Sequence, residues 1–402
     1  GIGLPFQPCI PVFPAVTCTA QATIRTALPP AQHGIIANGR FDRRSRRVDF
    51  WQQSARLVHG ERIWAASRRR GRTAAMLFHQ QNLGEDVDYV ISPAPVHKHH
   101  GGMLQACQTK PAELEAQLNN AIGKPLNLSD YWGPRANRRS TQWITAATLI
   151  VMQKYTPDIL LTYLPHLDYC QQSHGPDDHR RIASEISVLA KCLVRLVRAA
   201  EQQGYDIMIW GDYAITPAQQ PVFPNKALLE AGFFLCRQVA GRLYPNLYDS
   251  RAFAMCDHQV AHVYITNQED TPDVRSLLSA LPGVASVCSA AEADLDHPES
   301  GELVITAQPG AWFAYPWWDN AKEAPDYATH VDIHSKIGFD PCELFWDIPF
   351  LSTSTDCQKP KGTHGRTDAP AAVAASDGLA QVRDLTSLLD ISRFLQQHLQ
   401  PS

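Results

Sequence analysis

A chain of 402 residues with 40 acidic against 36 basic side chains has a formal net charge of −4, which excludes a dedicated nucleic-acid binder, because that requires a basic surface. Hydrophobic residues make up 44% and charged ones 19%, as in ordinary globular proteins, and the best apolar run, Ile144–Met152, is too short and too rich in threonine to span a membrane. The ten cysteines form no CxxC pair, which favours free thiols in a reducing, cytoplasmic compartment over a disulfide framework or zinc ribbon.

The length suits one large α/β domain or two smaller ones. Nothing at the start resembles a signal peptide. The chain opens on GIGLPFQP, as though inside a fold, so a strand is expected upstream of it. In Val12–Asn38, VFPAVTCTAQATIRTALPPAQHGIIAN, Thr17 follows an apolar run with prolines. Thr19–Ile24 read as the first turns of a helix that Pro29 and Pro30 end. A hydroxyl at a helix start meets unsatisfied N–H groups and the positive end of the dipole, a place suited to phosphate. Taken alone, Thr17 reads more readily as a helix cap.

The arginine clusters Arg40–Arg47 and Arg68–Arg72 read as solvated faces in an acidic chain, with Arg40 set apart by its closeness to Asn38. His97, His99 and His100 have no Cys or carboxylate among them and read as a loop rather than a metal tract. Short strands are expected at TAAMLF and VDYVIS, and a helix over Ala112–Ile122. From Ser140 the pattern is regular. It predicts a helix Ser140–Tyr155 capped by Ser140, a buried strand DILLTYL, and an amphipathic helix Arg181–Gln203. A second buried strand YDIMIW and a helix Asn225–Ala231 follow. This alternation predicts an α/β fold, a mostly parallel sheet with helices on both faces. Functional groups then gather beyond the carboxyl ends of the strands, where Asp168 and Asp212 stand. Residues 243–318 switch to shorter strands around one helix, an antiparallel extension or lid. A loop-rich stretch carries His364 in KGTHGRTD, and Leu385–Leu399 closes the chain as a helix.

A threonine hydroxyl is a poor nucleophile at neutral pH, and a divalent metal can activate it. Aspartate and histidine are ligands zinc accepts. Two metals would clamp the attacking and leaving oxygens of an in-line phosphoryl transfer.

The same residues resemble the type I phosphodiesterase/nucleotide pyrophosphatase family of the alkaline phosphatase superfamily. The resemblance runs through Phe13-Pro14, Thr17, Thr26, Pro30, His33-Gly34-Ile35 and Asn38, then Asp168 with Gly175-Pro176, Asp212, and Thr363-His364-Gly365. It implies an alkaline-phosphatase-like three-layer sandwich in one domain over residues 1–402, lacking its first strand. It implies Thr17 as nucleophile and metal ligand, passing through a phosphothreonine. Asp212 would share the metal site at Thr17 or its neighbour, Asp168 and His364 would hold the other metal, and the two ions would be zinc or another divalent metal. Asn38, with the N–H after Thr17, would stabilise charge on the phosphoryl group, and Arg40 would stand near the substrate. The substrate would be a small phosphate ester, with no nucleic-acid or membrane partner.

Two positions depart from the family. Gln172 and Tyr213 stand where it has histidines, so they join the ligand set as weaker donors suited to a harder metal. His174 is a neighbour of Gln172 that could substitute for it. Cys18 stands where nucleotide-cleaving members place an aromatic residue, which argues against a nucleotide substrate. Asp257-His258, His262, His330, His334 and Trp317-Trp318 read as structural or lid residues. The leading expectation is a metal-dependent hydrolase of phosphodiester, pyrophosphate or phosphomonoester bonds. The competing ones are a non-catalytic binder on the same fold and a phosphonate or sulfate ester hydrolase.

Overall fold

The apolar start of the chain forms strand β1 (Phe6–Cys9), which leads through a proline-containing loop into helix α1 (Thr17–Thr26), buried along its whole length. The structure is a computed structural model that describes residues 2–97, 103–347 and 352–400. His99 and His100 of the histidine tract lie outside those residues. A hairpin of β2 (Gly39–Asp42) and β3 (Arg47–Phe50) follows α1. Strands β4 (Ala74–Leu77) and β5 (Tyr89–Pro93) pair in parallel, and β6 (Cys107–Lys110) adds antiparallel to β5. Helix α2 (Arg139–Tyr155) precedes β7 (Ile159–Thr162), which runs parallel to β4. Helices α3 (His166–His174) and α4 (His179–Gln202) then lead to β8 (Met208–Trp210).

Residues 252–307 hold a four-stranded antiparallel sheet of β9 (Ala252–Asp257), β10 (Val260–Ile265), β11 (Val284–Ser289) and β12 (Leu303–Ala307), in the order β9-β10-β12-β11. Its apolar face shares a core with Phe41 and Phe50 of the hairpin. Strand β13 (Ala371–Ala375) lies between β1 and β8, antiparallel to both, and α5 (Leu388–His398) packs on α1.

The element boundaries shift for local reasons. Helix α2 begins at Arg139 because Asn137 Oδ1 accepts the Arg139 N–H, while the Ser140 hydroxyl donates to the Asn137 carbonyl instead of capping. Asp178 caps α4 by accepting the Arg181 N–H. The arginine clusters face solvent and acidic partners, as in Arg43–Glu302, Arg69–Glu61 and Arg72–Asp158.

The strands DILLTYL and YDIMIW are not fully buried as expected. Most of β7 and all of β8 are half-buried. Among the described residues β7 pairs only with β4 and β8 only with β13. Their open edges line one cavity of about 340 Å³, together with Leu193 and Val197 of α4. Asp168 and Asp212 follow the carboxyl ends of these two strands, so the site forms where the half-sheets β6-β5-β4-β7 and β1-β13-β8 meet.

Candidate active site

Extended backbone at Val16 (φ −130°, ψ 157°) places Thr17 as the first helical residue of α1. The hydroxyl caps nothing, since no side-chain capping bond exists at this helix start. It lies 2.9 Å from the Tyr213 hydroxyl. Tyr213 donates its only hydroxyl proton to Asp168 Oδ1 at 3.2 Å, so Thr17 donates to Tyr213. Gln172, one turn beyond Asp168 on α3, donates its amide to Asp168 Oδ2 at 2.7 Å. One turn beyond Thr17, Gln21 donates to Asp212 Oδ2 at 3.3 Å and accepts the Gln80 N–H. Thus Thr17, Tyr213, Asp168 and Gln172 form one hydrogen-bonded line, while Asp212 is tied to α1 through Gln21 and lines the cavity between the half-sheets.

His364 is held against the same point from the other side. Its Nδ1–H donates to the Ala15 carbonyl at 2.8 Å, and the Ala15 N–H donates to the Gly365 carbonyl at 2.9 Å. A Cβ at Gly362 would stand 2.3 Å from the Gln171 carbonyl, so only glycine lets this segment lie so close to α3. The His364 ring stacks on the Tyr213 ring, centroids 3.6 Å apart and 7° from coplanar. His258 covers the far face of His364 at 3.6 Å and stacks on Phe339.

Asn38 bridges the start of α1 and the end of β9. Its Oδ1 accepts the Cys18 N–H at 3.0 Å, while its own N–H and Nδ2 donate to Asp257. The Cys18 N–H is thus used on Asn38 itself, one of the two Asn38 amide hydrogens is used on Asp257, and Asn38 tethers the start of α1 to β9. Arg40 is turned away, forming a two-pronged ion pair with Glu299 at the rim of a separate cavity. The His174 ring is met by Arg181 on the exposed side of α3. His262 is structural, bonded to the Ile36 carbonyl and the Gly301 N–H.

Burial dominates the electrostatics. It pushes the Asp168 carboxyl up to about 6 against the hydrogen bonds from Gln172 and Tyr213. It pushes Asp212 up to about 7, opposed by Gln21 and reinforced by the charge of Asp168. It lowers His364 to about 3 and raises Tyr213 well above its ordinary value, so near neutral pH the ring is an imidazole and the phenol keeps its proton. The hydrogen bonds given for these two carboxylates come from neutral groups. A buried carboxylate without a counter-charge is costly.

That imbalance, with the buried Gln172 Oε1 that has no hydrogen-bond partner, tests the fit of a metal. The donors in this region are oxygens from Thr17, Asp168, Gln172 and Tyr213 and the imidazole of His364 in the cleft, with the Asp212 carboxylate in the adjoining cavity. Among the described residues no three His, Cys, Asp or Glu side chains group as a metal centre. With Asp168 and Asp212 its only carboxylates, the set as placed is short of a closed metal centre, although its oxygens are of the kind a hard divalent cation prefers. It does not fit a pair of zinc ions, because Gln172 and Tyr213 remove the nitrogen ligands such a pair would need.

Sequence reasoning missed Gln21, His79 and the Asp257–Asn38 tether. His79 lines both the site cleft and the cavity between the half-sheets, its ring nitrogens buried and unpartnered. Asp257 gives a testable consequence. Burial pushes its carboxyl from 3.8 up to about 7 despite the two Asn38 bonds. The folded state therefore holds this proton after the unfolded chain has released it. The stability contribution is complete below about pH 4 and is lost at about 1.4 kcal/mol per pH unit as pH rises towards 7. The expected result is a melting temperature that falls from pH 5 to pH 8, with a shallower slope in Asp257→Asn, read by thermal melts at constant ionic strength.

A model of the type I phosphodiesterase / nucleotide pyrophosphatase family matches residues 3–340. No curated protein matches the sequence. Among solved structures, phosphonoacetate hydrolase from Sinorhizobium meliloti 1021, in complex with phosphonoacetate, superposes with a TM-score of 0.62 at 14% identity, covering 99% of this chain and 87% of that one. Murine ectonucleotide pyrophosphatase / phosphodiesterase 5 gives 0.57 at 14% identity, covering 98% and 86%. The human protein of the same name gives 0.56 at 13%, covering 98% and 85%. At such identities the likeness shows the fold, which is alkaline-phosphatase-like α/β.

Proposed function

The chain belongs to the type I phosphodiesterase/nucleotide pyrophosphatase family, a family of phosphoric ester hydrolases, and from that premise we propose that it cleaves a small phosphoric ester with Thr17 as nucleophile. The observation that carries this reading is the hydroxyl line from Thr17 through Tyr213 to Asp168 at the start of a buried helix. Thr17 Oγ1 attacks phosphorus, the P–O bond to the ester group breaks, and the ester oxygen leaves. The proton freed from Oγ1 has a hydrogen-bonded path to the Asp168 carboxylate. Water then hydrolyses the phosphothreonine and restores the Thr17 hydroxyl. His364 and Tyr213, stacked face to face, fix each other's orientation, and Asn38 and Asp257 hold the start of α1 in register.

A divalent cation held by Asp168, Asp212 and Thr17, with Gln172, Tyr213 and His364 around them, would neutralise the buried carboxylates and polarise the phosphoryl oxygens. One observation favours a second reading, a binder without turnover: Gln172 and Tyr213 already satisfy both Asp168 oxygens.

Rapid-quench mass spectrometry after mixing with bis(p-nitrophenyl) phosphate and magnesium or manganese tests the choice. A transient mass increase of one phosphoryl ester on the peptide holding Thr17, lost with EDTA, is expected. No label and no turnover with magnesium, manganese or zinc would favour the binder.

A further inference from the structure

The cleft beside Thr17 has about 290 Å³ of space. Thr17, Asp168, Gln172, Tyr213 and His364 form its polar side. Trp51, Phe78, Tyr131, Trp132, Tyr169 and Phe339 wall much of the rest, with His79, His258 and His334 and rim glutamines among them. No lysine or arginine lines it among the described residues. Arg25 is bonded to the Gln80 and Gln81 carbonyls and Arg40 to Glu299. The amides at the rim are also engaged. Gln53 donates to Gln80 Oε1 and the Trp51 carbonyl, and Gln52 to Asp49.

We infer that this cleft selects a monoanionic phosphoric diester whose ester group is uncharged and planar, an aryl ester by chemical class. The inference rests on the proposed function and narrows it. A carboxylate or a further phosphate on the ester group would lie against the aromatic wall, where no lysine or arginine stands among the described residues, which disfavours it. A neutral ring instead meets aromatic faces in offset or edge contact. The wall is built in place before substrate arrives. Trp132 contacts Tyr169 edge-on at 5.4 Å and Phe339 at 5.6 Å, and its Nε1–H donates to buried Glu343 at 2.6 Å.

The test compares kcat/KM for p-nitrophenyl phenyl phosphate, its 4-carboxyphenyl analogue and ATP. The first two share a leaving group and differ by one charge. The phenyl diester should be preferred over the carboxylate analogue by at least about tenfold, the factor set by about 1.4 kcal/mol, and over ATP by more. Trp132→Ala should raise KM for the phenyl diester with little change in kcat, Trp132→Phe should restore it, and the ATP rate should not follow. Equal or better turnover of the charged substrates overturns the inference and leaves the proposed function standing. If no substrate turns over, the proposed function fails, and the cleft is read by binding. Tryptophan quenching by phenylphosphonate tighter than by 4-carboxyphenylphosphonate then supports the selectivity, and equal or reversed affinity overturns it.

Discussion

Thr17→Ala will lower diester turnover by a factor on the order of 10³ or more, the loss expected when a nucleophile is removed, while the melting temperature stays nearly unchanged. The second half of that statement follows from geometry. Thr17 is the first helical residue and makes no capping bond, so the usual cost of losing a cap does not apply. The hydroxyl bonds to Tyr213, an interaction worth about 1 kcal/mol net. Alanine is the better helix former, which returns part of that. Thr17→Ser keeps the oxygen and should stay within about tenfold of the parent, because only the methyl that restricts χ1 is lost. Steady-state rates and a thermal melt on the three proteins decide the matter. A Thr17→Ala protein that melts normally and still hydrolyses the diester would remove Thr17 from the mechanism.

Much of this site was legible because its residues stand at fixed distances along the chain. Asp168 and Gln172 lie one helical turn apart, and Thr17 and Asp212 each stand at the junction of two elements, so motif order and periodicity locate them. The Asn38–Asp257 tether joins residues 219 positions apart, and no local pattern marks such a pair. Asp257 looked like a lid residue because its strand was recognisable and its neighbour across the fold was not. Gln21 was hidden for another reason. Inside a helix it resembles any polar residue, and only the return of Asp212 to α1 gives it a partner. Thr17 as a cap was a sound local reading that tertiary contact overrode, since Tyr213 claims the hydroxyl. The half-burial of β7 and β8 was equally out of reach. An apolar run shows that a strand is fit for burial, but its neighbours decide whether both edges are covered.

Lys336→Met will destabilise the protein by about 3–5 kcal/mol, as when one partner of a buried ion pair is removed, and will loosen the aromatic wall of the cleft. Lys336 is 1% exposed. Its ammonium donates to Asp340 at 2.7 Å, to Glu343 at 2.6 Å and to the His330 carbonyl at 3.1 Å. The two carboxylates hold its pKa above the ordinary lysine value against the effect of burial. Glu343 also accepts the Asp332 N–H on Oε1 and the Trp132 indole N–H on Oε2. The lysine therefore neutralises the group that fixes Trp132. Without it, two buried carboxylates repel each other or take up protons, and the indole loses a fixed acceptor. The consequence for catalysis should appear in KM for an aryl diester, with kcat falling less, because Thr17, Asp168 and Asp212 lie outside this network. Glu343→Gln and Glu343→Leu separate the two effects. Glutamine keeps the side chain's shape but only one acceptor oxygen, for which the Trp132 indole competes with Lys336 and the Asp332 N–H, so it should raise KM less than leucine does. Leucine removes the acceptor and should raise KM even where added salt or lower temperature keeps the protein folded. Denaturant melts alongside the KM series would show whether wall position or global stability governs substrate binding. If KM followed stability alone across all three variants, Trp132 would not be the element that this buried network holds in place.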